Sequence, residues 1–150
     1  MLIRLARRNE VDELSALVMR AKAHWGYDAA FLEACRDDLR VRSEQIAAGA
    51  VWVAELDGMA AGVLELAIAD SKAEVRACFV EPHAIDRGVG RALWRHAEAL
   101  AMAAGASAVS VDSDPFAEGF YLAMGAQRVG EAPSGAIAGR MLPRLAKRLR

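Results

Sequence analysis

The chain has little of what disulfide-built, membrane-spanning or nucleic-acid-coating proteins are made from. Two cysteines among 150 residues, Cys35 and Cys78, cannot build a multi-bridge framework or a clustered thiolate metal site. Nineteen basic residues against 20 acidic ones leave a net charge of −1. That balance lacks the basic excess with which nucleic-acid binders neutralise phosphates. No apolar run approaches the roughly 18 residues of a membrane span, because Arg, Glu, Asp or Gly interrupts each one. The opening Met1-Leu2-Ile3-Arg4-Leu5-Ala6-Arg7-Arg8 has no long apolar middle of the signal-peptide kind. His24, His83 and His96 stand in separate segments without ligand spacing, so no metal site is expected. Repeats, low-complexity tracts and linkers are missing as well. What is present is 55% hydrophobic and 26% charged residues, a balance that excludes disorder. It fits one domain over residues 1–150, with one core, in a reducing and cytoplasmic compartment.

The hydrophobic period changes along the chain. Leu2-Ile3-Arg4-Leu5-Ala6 alternates as a short strand. Val11, Leu14, Leu17, Val18 and Ala21 have helical spacing. Gly26 punctuates, and Asp28 is placed to cap a second helix carrying Phe31, Leu32 and Cys35. A third helical patch spans Ser43 to Ala48. Val51–Leu56 and Gly62–Ile68 read as strands joined by Asp57-Gly58, a hairpin signal because both positions tolerate positive φ. Glu74–Val80 reads as the next strand. Val89, Leu93, Ala97, Leu100 and Ala104 restore helical spacing until Gly105. Ala108–Val111 is a strand, Asp114-Pro115 opens a helix by cap and proline, and Gly125 ends it. Gln127–Val129 and Ile137–Leu142 are the last expected strands. The basic tail Arg144, Lys147, Arg148 and Arg150 is expected to be an exposed terminal segment or an oligomer contact. The sum is an α/β (α+β) domain, with a mixed sheet of about six to seven strands flanked by about four helices.

The most informative stretch runs from Val80 through Ile85-Asp86-Arg87-Gly88-Val89-Gly90-Arg91 to Leu93. A strand enters a glycine-bearing turn and a helix starts at once. That arrangement aims free backbone N–H groups and the positive end of a helix dipole at one point, which suits a phosphate or pyrophosphate. The alternative is simply a tight strand-to-helix connection. A dinucleotide fingerprint would need Gly or Ala where Leu93 stands, and no Gly-Lys-Ser/Thr element marks a P-loop.

Here the sequence resembles the GCN5-related N-acetyltransferase family, over essentially the whole chain and most specifically from Ala73 to Gly125. The family's acetyl-CoA motif begins with Arg or Gln and carries two spaced glycines. It aligns on Ile85-Asp86-Arg87-Gly88-Val89-Gly90, with Ile85 replacing the basic or amide residue. A second motif, in which an Asn opens a helix carrying a Phe-Tyr pair, aligns on Asp114 to Ala126. Asp114 stands for the Asn, Phe120-Tyr121 and Met124-Gly125 match. The resemblance implies acetyl-CoA as co-substrate, with its pyrophosphate arm on the amides of Arg87 to Arg91. It places Phe79, Val80, Ile85, Asp86, Arg87, Gly88, Val89, Gly90, Arg91, Asp114 and Phe120 along the CoA site. A backbone N–H near Phe79 or Val80 is expected to meet the reacting carbonyl oxygen.

Acetyl transfer to an alkylamine requires the amine neutral. With an amine pKa of about 10.4, that is a barrier of roughly 4.6 kcal/mol at pH 7 that a base and a less polar site can address. The resemblance places the Tyr121 hydroxyl beside the CoA sulfur as proton donor. Glu74, at the start of the strand feeding the glycine turn, is the candidate base. Glu65, a carboxylate in an otherwise apolar strand, is its rival, and water is a third route. Trp25, Tyr27 and Asp28 lie where the family builds a substrate wall and could hold a cationic amine, or could form an ordinary helix–helix connection. Arg140 is a further wall candidate, able to read a carboxylate. Cys78 reads as core. The expected activity is N-acetylation of a primary amine of a small molecule, by direct transfer in a ternary complex. Two alternatives stay open: a non-catalytic acyl-CoA sensor, motivated by Ile85 and Asp114, and a protein Nα- or lysine acetyltransferase with an open peptide groove. Homodimerisation is a family habit.

Overall fold

A computed structural model describes residues 1–149. The elements in chain order are β1 (Leu2–Leu5), α1 (Val11–Ala23), α2 (Ala29–Leu39), α3 (Ser43–Ala47), β2 (Val51–Leu56), β3 (Met59–Ala69), β4 (Lys72–Val80), α4 (Val89–Ala103), β5 (Ala108–Asp112), α5 (Glu118–Ala123), β6 (Gln127–Pro133) and β7 (Met141–Arg148). Seven strands form one sheet in the order β1-β2-β3-β4-β5-β7-β6. The β2–β3 hairpin turns on Asp57 and Gly58 with φ of 53° and 79°, the left-handed pair that matches strand twist. All neighbours are antiparallel except β4 and β5.

That parallel pair is short. Lys72–Val75 pair with Ala108–Val111, and beyond Val75 the two strands part. The cause lies on the opposite edge of β4. Its register with β3 steps from Leu66↔Val75 to Glu65↔Ala77, leaving Arg76 as the extra residue of a β-bulge, which bends and twists its strand. The bulge also resets the alternation. Val75 and Cys78 belong to the face that packs on α4, whereas Phe79 belongs to the cluster under α1.

Each sheet face has its own core. Leu14, Leu17 and Val18 of α1 pack on Val51, Val53 and Val63, with Val41 and Ile46 beside them. Leu93, Trp94 and Ala97 of α4 pack on Leu64, Leu66, Val75 and Val109, joined by Tyr121 and Leu145. The start of α4 is fixed by Gly62. A Cβ there would stand 2.7 Å from Val89 Cγ1 and 2.9 Å from Leu93 Cδ1, so helix and strand approach as closely as glycine permits. At the end of β4, Glu81 is buried and takes two hydrogen bonds of 2.7 Å from Arg20, tying α1 to the entry of the glycine turn.

Two sequence expectations change. The last strand is Met141–Arg148 rather than Ile137–Leu142, and the basic tail is not an exposed terminal segment. β7 lies inside the sheet between β5 and β6. Leu145 is wholly buried, and two of the basic residues find partners. Arg144 bonds Asp112 at 2.7 Å, while Lys147 meets Glu98 at 2.5 Å and the Met124 carbonyl at 3.0 Å. Arg150 lies outside the described residues. Among the described residues no helix is long and apolar enough to cross a membrane.

Gly62→Ala is expected to cost about 1–3 kcal/mol, the usual range for overpacking a tight core, or roughly 2–4 °C of melting temperature per kcal/mol. An unchanged melting temperature would mean that α4 shifts freely over β3. A second expectation concerns pH. The Arg20 hydrogen bonds hold the Glu81 carboxyl below its ordinary value against the effect of burial. A carboxylate depressed in the folded state contributes stability that is fully present above the unfolded value of about 4.3 and is lost as pH falls through the folded value. Urea midpoints should therefore hold steady from pH 7 to about 5 and fall below that. Glu81→Gln should flatten part of the acid fall, and an unaltered acid limb would show that this pair contributes nothing.

Candidate active site

The parting of β4 and β5 opens a cleft of about 490 Å³. Its first wall is the exposed edge of β4. Glu81 donates its N–H to Ala61 across β3, so by strand alternation the amides of Val80 and Cys78 turn towards the cleft while that of Phe79 turns to β3. Its rim is the glycine turn. Ile85 and Arg87 spend their N–H groups on the carbonyls of Pro82 and Ala84, each at 3.3 Å. Asp86 (φ 67°) and Gly88 (φ 83°) adopt left-handed backbone, and among the described residues neither donates its N–H to a backbone carbonyl. Val89, Gly90 and Arg91 open α4, where a helix supplies no carbonyl partner. The turn thus holds a set of unspent donors at the positive end of a 15-residue helix. Gly90 is needed for closeness, since a Cβ there would meet the Phe120 ring at 3.3 Å and Val80 Cγ2 at 3.5 Å.

Tyr121, from α5, forms the floor. Its ring meets Trp94 and Phe120 edge-on at 5.3 and 5.0 Å, and its hydroxyl is near enough to the Cys78 thiol for each group to shift the other's ionisation. Burial pushes the phenol well above its ordinary value, reinforced by Cys78. Burial likewise pushes the Cys78 thiol up to about 12. Both groups keep their protons at neutral pH, so Cys78 is a weak nucleophile and Tyr121 has a proton to give.

The opposite face of β4 borders a second, polar cleft of about 580 Å³. Glu65 and Glu74 line it together with Asp37, Asp38, Arg40 and Arg42 from the end of α2 and the segment after it. Arg76, Ala77 and Phe79 line both clefts, so the two meet across the far half of β4. Most charges in the polar cleft are paired. Glu74 bonds Arg76 at 3.0 Å, and Asp37 faces Arg40 at 3.1 Å and Arg42 at 3.8 Å. Glu65 and Asp38 have no ion pair among the described residues. Burial raises the Glu65 carboxyl above its ordinary value, opposed by Arg76 and Arg42.

The structure therefore brings Phe79, Val80, Ile85, Asp86, Gly88, Val89, Gly90, Arg91, Asp114, Phe120, Tyr121 and Trp25 to the first cleft, and Glu65 and Glu74 to the second. Arg87 points elsewhere, 3.8 Å from Asp57. Asp28 caps α2 by accepting the Phe31 N–H at 2.9 Å. Tyr27 donates to Asp114 and lines neither cleft. Trp25 stacks on Phe116 at the mouth, centroids 5.7 Å apart. The sequence reading missed the roles of Arg76, Cys78 and Lys22. Lys22 carried a signal: it follows Leu14, Leu17, Val18 and Ala21 on the buried stripe of α1, where an unpaired cation is costly. Among the described residues no group of three His, Cys, Asp or Glu side chains is arranged for a metal ion.

The fold is that of several solved acetyltransferases. PaiA N-acetyltransferase of Thermoplasma acidophilum, in complex with coenzyme A, superposes with a TM-score of 0.80 at 17% identity, covering 98% of each chain. An aminoglycoside 6′-N-acetyltransferase complexed with coenzyme A gives 0.73 at 16% identity, covering 100% of this chain and 98% of that one. The ribosomal-protein-S18-alanine N-acetyltransferase of Escherichia coli gives 0.71 at 15% identity, covering 99% and 93%. A sequence search among curated proteins finds no match. The acetyltransferase (GNAT) family model matches residues 14–126, a span that includes both motifs and both clefts' shared wall. The chain belongs to the GNAT acetyltransferase family and is an enzyme of the acyl-CoA N-acyltransferase class.

Proposed function

We propose that residues 1–150 form one acetyltransferase domain that moves an acetyl group from acetyl-CoA to a primary amine of a small molecule, by direct transfer in a ternary complex. The observation that carries this reading is the pair of clefts sharing Arg76, Ala77 and Phe79: donor and acceptor can approach one point from opposite faces of β4. Coenzyme A in the related PaiA and aminoglycoside enzymes supports acetyl-CoA as the donor. The free amides of Asp86, Gly88, Val89 and Gly90 suit its pyrophosphate. Ile85 adds an apolar rim, and its N–H is already engaged.

Tyr121 is the acid in this reading. A phenol this basic can protonate a departing thiolate only if the thiolate is basic too. The desolvation that lifts Cys78 to about 12 acts on a sulfur arriving beside it, so donor and acceptor of the proton rise together. The Val80 and Cys78 amides are candidates for the carbonyl oxygen. For the base, burial and the missing ion pair favour Glu65 over Glu74, which is held by Arg76. Two unpaired carboxylates, Glu65 and Asp38, suit a cationic acceptor.

Calorimetry with acetyl-CoA, followed by CoA release across alkylamines, diamines, amino acids and amino sugars, tests the reading. Binding with turnover is expected, and absence of acetyl-CoA binding would sink it. Tyr121→Phe should lower kcat by about 10²-fold or more with acetyl-CoA affinity kept, whereas an acyl-CoA sensor would be indifferent to that change. The pH profile identifies the base. A base works deprotonated, so a raised Glu65 pKa moves the acid limb of kcat/KM above the ordinary glutamate value of about 4.3. Glu65→Gln should remove that limb and Glu74→Gln should leave it; the reverse result would transfer the role to Glu74.

A further inference from the structure

Asp114 lines the donor cleft, yet its carboxylate is already engaged within the chain. Oδ1 accepts the Phe116 N–H at 2.9 Å. Oδ2 accepts from Lys22 Nζ at 2.6 Å and from the Tyr27 hydroxyl at 2.9 Å. The Lys22 and Asp114 side chains are 8% and 9% exposed, so this is an interior ion pair. The Tyr27 hydroxyl in turn accepts from Arg140 Nη2 at 2.6 Å, and the Tyr27 ring stacks on Phe31 at 4.1 Å. The Arg140 guanidinium lies 4.9 Å from the Phe31 centroid.

Arg140 closes the loop between β6 and β7. That loop is bonded mainly to itself, through Ser134 N–H to the Arg140 carbonyl at 2.8 Å and through the Ser134 hydroxyl to the amides of Ala136 and Ile137. Its Gly135 and Ala136 line the polar cleft. Asp114, Tyr27 and Arg140 therefore form a continuous chain of polar contacts from the donor cleft to a wall of the acceptor cleft.

We infer that Asp114 is a positioning residue for the acceptor side: it anchors Tyr27 and, through the Tyr27 hydroxyl and a direct ion pair of 3.9 Å to Arg140 Nη2, the Arg140 loop, and so holds the wall against which the acceptor amine binds, without itself gripping CoA. The inference rests on the two-cleft reading above for which cleft takes the amine. Lys22 supplies the charge that lets a carboxylate occupy this interior position, and the Phe116 N–H fixes its rotamer. The polar network joins the end of α1, the α1–α2 turn, the turn after β5 and the β6–β7 loop.

Tyr27→Phe is the mildest test, because it keeps the ring stack and removes only the bridging hydroxyl. Amide exchange across residues 134–140 should quicken by about tenfold, with acetyl-CoA affinity measured by calorimetry within about twofold of wild type. On the amine that wild type turns over fastest in the panel, KM for the amine should rise about fivefold or more while kcat stays within about twofold. Asp114→Asn should reproduce the same split, and the double variant should be little worse than either single one, as expected of residues acting in one chain. Weakened acetyl-CoA binding in Asp114→Asn with unaltered exchange at 134–140 would overturn the inference and make Asp114 a CoA contact. Multiplying effects in the double variant would overturn it too. If Asp114→Asn does not fold, Tyr27→Phe with Arg140→Gln completes the same cycle. If wild type acetylates no amine, the activity reading fails on its own; loop exchange and acetyl-CoA affinity still decide whether Asp114 anchors the loop.

Discussion

The structure depends on where two parallel strands stop pairing. Four residue pairs join β4 to β5, and from Arg76 onward the inner edge of β4 faces open space. Unpaired backbone amides in a sheet's interior are costly unless something satisfies them. Here they border a cleft whose far rim is a helix start with unspent amides of its own. The bulge at Arg76 bends the strand away and, in the same step, turns Phe79 to one face while Cys78 keeps the other. One inserted residue thus creates the opening and assigns its two sides.

Those sides differ in chemistry because they differ in solvent. Towards α4 and α5 the strand meets Trp94, Phe120 and Tyr121, and desolvation keeps the Tyr121 and Cys78 protons on their atoms. Towards α2 it meets carboxylates and guanidinium groups that are mostly exposed, where most charges are matched and Glu65 is only partly desolvated. In the proposed function Tyr121 on the dry side and Glu65 on the wet side divide acid from base across one strand, as acid–base chemistry at neutral pH asks.

Much of this was legible in residue order. The α1 and α4 stripes, the Asp57-Gly58 hairpin and the glycine turn are local signals, each carried by a few adjacent residues, and the structure follows them. β7 was hidden because its alternation is written in basic residues. Arg144 and Lys147 read as a solvated tail until Asp112 and Glu98, far away in sequence, come alongside. The bulge was hidden for a different reason. Lys72 to Val80 alternates well enough to pass as a regular strand, and only the register with β3 exposes the extra residue. At the site, the resemblance's motifs named Tyr121 and the glycine turn, and all of those residues but Arg87 line the first cleft. The partition of Glu65 and Glu74 between free and paired was not legible, since it depends on Arg76 and its place in the bulge.

Lys22 and Asp114 show how such a departure from pattern can be kept. Each alone would be a poor choice: a cation on the apolar stripe of α1, or a carboxylate lining a mostly apolar cleft. Together they cancel, although a buried pair of this kind rarely adds net stability over an apolar alternative. What it supplies is direction. An apolar pair would fill the volume with many near-equivalent packings, whereas an ion pair with a hydroxyl bridge and a backbone donor accepts one arrangement. The segments it joins are a helix end, two turns and a loop, the parts of the fold with the least packing of their own. A directional contact is therefore placed where apolar packing cannot fix the geometry, and the acceptor wall inherits its position from it.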